Sequence, residues 1–139
     1  MSWSVDNLTP AERWGRAQRV MRWGLVCAYM AIIFFLSSLP GSSLPKFKVS
    51  DKILHTVEFG GLAFLVCRAL RAQMPRAARH FVAALSILAT AGYGLTDEFH
   101  QLFVLGRMGD LVDVAADSLG ASLAAAVWMI GGRHWPWVQ

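Results

Sequence analysis

Long apolar runs separated by short polar breaks dominate the chain. Residues 23–45 contain no charged side chain. Residues 21–39 are apolar enough to cross a hydrocarbon core of about 30 Å, which takes about 20 helical residues. Ser37, Ser38, Leu39, Pro40 and Gly41 close this run, since proline and glycine punctuate helices. Further spans are predicted over 51–70, 81–103 and 110–129, each apolar for most of its length and carrying ionisable residues near one end. The expected fold is all-α, a polytopic membrane four-helix bundle in one domain covering 21–131. Residues 1–20 form a basic amphipathic segment, and Thr9-Pro10-Ala11-Glu12 has the form of a capping box with proline at the first helical position. A short basic interfacial helix is therefore expected ahead of the first span. A cleavable signal sequence is the rival reading, but 22 residues are long for its basic leader. Residues 132–139 are read as a tail.

Composition agrees with the pattern. The chain has 139 residues, 55% hydrophobic and 16% charged, against about 45–50% and about 25% in soluble domains. That excludes a disordered segment, and two cysteines are too few for a disulfide scaffold. Cys27 and Cys67 are read as reduced, buried, small apolar residues. The net charge of +4 would suggest nucleic acid if it covered one surface, but its distribution excludes that partner. Four spans put both termini on one side, with Arg13, Arg16, Arg19, Arg22, Arg68, Arg71, Arg76, Arg79 and Arg133. Only Lys46, Lys48, Lys52 and Arg107 fall on the other side. The positive-inside rule makes the first side cytoplasmic. Trp3, Trp14, Trp23, Trp128, Trp135 and Trp137 are all expected near that inner face, where indole rings favour the interface. Asp6 and Glu12 are the inner acids; the other seven gather at the outer ends of the spans.

The outer acids define the candidate site. Asp51, His55 and Glu58 stand at i, i+4 and i+7, one helix face at about 100° per residue, with Lys52 flanking it. Asp110, Asp113 and Asp117 repeat the pattern on the fourth span, and the third span ends in Tyr93, Asp97, Glu98, His100 and Gln101. Ionisable residues inside a span normally face the bundle and pair, so a shared pocket is expected. Asp110 and Asp51 also suit helix N-termini, and Arg107 suits pairing with Asp110 or Glu98. The pocket residues are taken as Asp51, His55, Glu58, Glu98, Gln101, Arg107, Asp110, Asp113 and Asp117. Asp97 is counted in the local charge without an assigned role. Ala116, Gly120 and Ala124 form a small-xxx-small stripe for close helix approach.

Asp51-Lys52-x-x-His55-x-x-Glu58-Phe59, Glu98-x-x-Gln101, Gly106-Arg107-x-x-Asp110-x-x-Asp113 and Asp117-x-x-Gly120 resemble the VanZ-like family, as does Ser37-Ser38-Leu39-Pro40. The resemblance covers residues 21–130. It implies a small multi-spanning protein of the bacterial cytoplasmic membrane, and its namesake is associated with resistance to teicoplanin-type glycopeptides. The family pattern carries asparagine where this chain has Asp117.

Three chemistries fit the pocket. In the first, Lys52 and Arg107 hold the phosphate of a lipid or lipid-linked cell-wall precursor in the outer leaflet. His55, Glu58, Glu98 and Asp113 then serve as candidate catalytic groups, His55 being the acid–base. Asp51, Lys52, Gln101, Arg107, Asp110 and Asp117 would bind the ligand, Gln101 through its amide. In the second, the same cluster is a non-enzymatic site for a headgroup, a cationic ligand or a protein partner. In the third, His55, Glu58, Glu98 and His100 hold a metal ion, although their spacing matches no strong ligand motif. A haem between His55 and His100 is the weakest variant. No nucleophile elbow, zinc helix or phosphate loop is present in the sequence.

Overall fold

The computed structural model describes residues 9–43 and 50–131. Trp3, Asp6, Lys46, Lys48, Arg133, His134, Trp135, Trp137 and the tail 132–139 lie outside the described residues. Four helices follow one another: α1 (Pro10–Ser37), α2 (Asp51–Gln73), α3 (Arg79–Gln101) and α4 (Leu111–Gly131), with a 3-10 turn at Gly41–Ser43. The capping box forms as expected: the Thr9 hydroxyl accepts from the Glu12 N–H and the Glu12 carboxylate accepts from the Thr9 N–H. Instead of a separate interfacial helix, the basic segment runs into the first span as one 28-residue helix. Nothing between Arg13 and Arg22 removes a backbone donor, so the ladder continues.

α1, α2 and α4 are long and apolar enough to cross a membrane. α3 has 23 residues but ends in Asp97, Glu98, His100 and Gln101. Large side chains such as Leu25, Ile32, Phe35, Val57, Leu88, Leu119 and Ile130 are exposed on the outside of the bundle. In water such a surface would drive aggregation, whereas in lipid it is the matching solvent.

α2 packs most extensively against α4. The small-residue stripe explains how: a Cβ on Gly120 would run into the Thr56 carbonyl, and one on Gly60 would press on the Gly120 carbonyl at 3.2 Å. Backbone contact this close needs glycine. Phe59, Leu62, Val66, Cys67, Val82, Ala125 and Trp128 fill the core. Trp128, expected near the inner face, packs inside this core rather than on the bundle's surface. It is fully buried, with the Arg79 guanidinium 4.5 Å from its ring centroid and donating to its backbone carbonyl at 2.8 Å. Stacking and a carbonyl near the helix C-terminus both reward the cation there. Cys67 is buried and free as expected, but Cys27 lies on the exposed face of α1. α1 is the outermost helix, with only Val26, Ile33 and Ser37 buried.

At the opposite end the loops clasp each other. The Gly41 N–H donates to the Leu105 carbonyl at 3.2 Å, and Gly106 takes a left-handed backbone with φ of 72°. A Cβ on Gly41 would enter the Gly106 carbonyl. The Ser38 hydroxyl donates to the Phe34 carbonyl and lies 3.0 Å from His100 Nε2, which ties the end of α1 to α3.

Candidate functional site

The N-termini of α2 and α4 and the C-terminus of α3 meet at one end of the bundle. Their polar faces converge there as the spacing predicts. His55, Asp97, Glu98, Gln101, Asp113 and Asp117 are all buried. Glu58, Lys52 and Arg107 are half-buried and Asp51 is exposed. Below the cluster Phe59 forms an apolar floor, fully buried, parallel to the His55 ring and in contact with Tyr93.

Two layers join α2 to α4, an ion-paired one and a hydrogen-bonded one. In the upper layer the Lys52 ammonium donates to Asp110 at 2.9 Å and to Asp113 at 2.5 Å. The hydrogen bond from Lys52 holds the Asp110 carboxyl below the usual carboxylate range. Lys52, expected beside a phosphate, therefore has its charge engaged by two aspartates. In the lower layer His55 Nδ1 lies 3.0 Å from Asp117 Oδ1, with Asp117 wholly buried.

α3 closes the third side. Gln101 donates to Asp97 Oδ2 at 3.0 Å, so Gln101 orients a carboxylate through its amide. One oxygen of Glu98 accepts the Asp110 N–H at 2.8 Å, pinning the loop to the end of α3. Gly109 allows that crossing, since a Cβ there would sit 2.7 Å from the Glu98 carbonyl. Asp110 also caps α4, accepting from the Val112 N–H at 2.8 Å. Gly94 makes room for Asp117, whose Oδ2 would lie 2.5 Å from a Cβ at that position.

Several polar atoms are left over. Asp97 Oδ1, Glu98 Oε1, Asp117 Oδ2 and Arg107 Nε are buried without a hydrogen-bond partner among the described residues. Buried polar atoms are nearly always paired, and each lone one costs about 1–3 kcal/mol. Arg107 makes no ion pair among the described residues, neither with Asp110 nor with Glu98, although its charge reaches Glu58. Glu58 likewise makes no ion pair among them.

Beside this cluster a cleft of about 550 Å³ opens between α3 and α4. Leu95, Phe99, Leu102 and Leu111 line it, and Glu98 and Asp110 stand in its wall. Its apolar lining thus leads to the polar cluster.

The candidate metal ligands separate. His100 turns toward α1, stacked on Phe34 with ring centroids 4.5 Å apart. It therefore points away from Glu98, because residues two apart on a helix diverge by about 200°. Ligand atoms of His55, Glu98 and Asp117 instead lie within 4.8 Å of one another, and so do those of Asp51, His55 and Asp113. Sequence reasoning left Asp97 without a role; its spacing of four from Gln101 on one helix face was the signal for it.

A bundle with three membrane-length helices and a buried acidic cluster at one end has the architecture of a helical membrane protein. The chain belongs to the VanZ/LLP1 family, whose model matches residues 7–132. No curated protein and no solved structure matches it.

Proposed function

We propose that the chain is a bacterial cytoplasmic-membrane protein with both termini cytoplasmic, and that it binds a phosphate-bearing lipid headgroup in its outward-facing pocket. The headgroup belongs to a phospholipid or a lipid-linked cell-wall precursor. The observation that carries this reading is the α3–α4 cleft, whose apolar wall ends at Glu98 and Asp110 of the buried cluster. A lipid tail fits the wall, and Arg107, whose Nε is buried and has no partner among the described residues, is the cation assigned to its headgroup phosphate. A guanidinium binds phosphate bidentately. Altered sensitivity to teicoplanin-type glycopeptides is the phenotype that precursor binding would give.

The His55–Asp117 hydrogen bond favours a second reading, in which the bound headgroup is also modified. A carboxylate-oriented imidazole is the arrangement of a general acid–base.

Native mass spectrometry of the full chain from mild detergent tests the binding. One lipid adduct is expected on the wild type and at least tenfold less on Arg107→Ala, with Arg16→Ala unchanged. A bare wild-type chain, or equal adducts on all three, contradicts the proposal. A cationic peptide adduct in place of lipid would contradict it equally.

A further inference from the structure

We propose that His55, Glu98 and Asp117 form a binding site for one divalent transition-metal ion of the Mn²⁺ or Zn²⁺ kind. Their ligand atoms already lie within 4.8 Å of one another, and they come from three different helices. The acids alone would not make a site, but their loose ends do. Glu98 Oε1 and Asp117 Oδ2 are buried with no partner among the described residues, on residues 4% and 0% exposed. Both belong to the same trio as the imidazole.

The distances suit coordination. Two ligands each about 2.1 Å from an ion are about 3.0–3.4 Å apart when they subtend 90–110° at it. His55 Nδ1 and Asp117 Oδ1 stand at 3.0 Å. Glu98 needs only a side-chain adjustment, since its Oε2 is held by the Asp110 N–H while Oε1 is free. One imidazole with carboxylate oxygens suits Mn²⁺, Fe²⁺ or Zn²⁺. The charge points the same way. Asp97, Glu98, Asp113 and Asp117 crowd a buried space where, among the described residues, only Lys52 and His55 are within pairing distance of any of them. A bound dication offsets that buried negative charge.

The alternative trio of Asp51, His55 and Asp113 is the poorer host. Asp51 is exposed, and Lys52 already occupies Asp113. An ion at the inner trio would also offer an open coordination position to a headgroup phosphate oxygen. That last consequence rests on the lipid reading, whereas the ion does not.

The test uses the full chain, delipidated in maltoside detergent, stripped with chelator and dialysed separately against Mn²⁺ and Zn²⁺. Metal per chain is then read by plasma mass spectrometry. One ion per chain is expected for the wild type. Glu98→Gln and Asp117→Asn, which keep side-chain shape, should each weaken uptake at least tenfold, while Asp51→Asn and Glu12→Gln should not change it. Wild-type protein that takes up neither ion at millimolar concentration overturns the proposal. So does uptake that falls with Asp51→Asn but not with Glu98→Gln. Lipid adducts measured separately in chelator distinguish failure of the ion from failure of the lipid reading.

Discussion

His55→Leu is expected to lower the thermal midpoint of the detergent-solubilised protein by on the order of 10 °C, corresponding to about 3–5 kcal/mol. The cause is the partner left behind. Asp117 is wholly buried, and His55 is its one hydrogen-bonding neighbour among the described residues. Removing one member of a buried pair strands the other in a low-dielectric interior. Asp117→Asn should be far milder, below about 1.5 kcal/mol, because the amide still offers His55 a hydrogen bond. The double variant His55→Leu with Asp117→Leu should recover part of the single variant's loss, since it leaves neither group unpaired. Fluorescence-detected size exclusion after a temperature ramp ranks the three. A double variant less stable than His55→Leu alone would show that the pair is not an energetic unit.

Gly120→Ala should cost at least about 1–3 kcal/mol, the usual range for overpacking, and more if the helices cannot part. The new methyl group meets the Thr56 carbonyl, so α2 and α4 must separate along their principal interface. Both layers cross that interface, the ion pair of Lys52 with Asp113 and the hydrogen bond of His55 with Asp117. Gly92→Ala provides the internal control. Nothing lies within 4 Å of a Cβ at Gly92, on the exposed face of α3. There alanine should stabilise by up to about 1 kcal/mol through helix propensity alone. Opposite shifts in the thermal midpoint for one chemical change at two glycines would locate the close approach. Equal shifts would remove it.

The sequence carried the fold well because lipid imposes a simple rule on it. Apolar runs long enough to span must be helices, and charges interrupting them must turn inward. That logic yielded four helices, the convergence of Asp113, Asp117, His55 and Glu98, and the caps at Thr9 and Asp110. It also fixed which face of each helix is polar. It did not fix which neighbour each polar group meets. Lys52 has the same flanking position whether it faces a ligand or Asp113 across the interface. His100 and Glu98 are two residues apart, and only the placement of α1 shows that His100 belongs to Ser38 and Phe34. Trp128 illustrates the same limit on the apolar side. Its depth suits an interfacial tryptophan, and it is the Arg79 guanidinium stacked upon it that accompanies it into the core.

On the proposed function, the cleft between α3 and α4 seats the tail of one lipid class whose headgroup phosphate Arg107 holds. A photo-crosslinking residue at Phe99, in the cleft wall, tests it most directly when compared with one at Leu88, exposed on the same helix. After irradiation in native membranes, the attached lipids are identified by mass. One lipid class enriched at Phe99 over bulk membrane is predicted, with the enrichment lost on adding Arg107→Ala, and bulk composition at Leu88. Bulk composition at both positions would contradict the account.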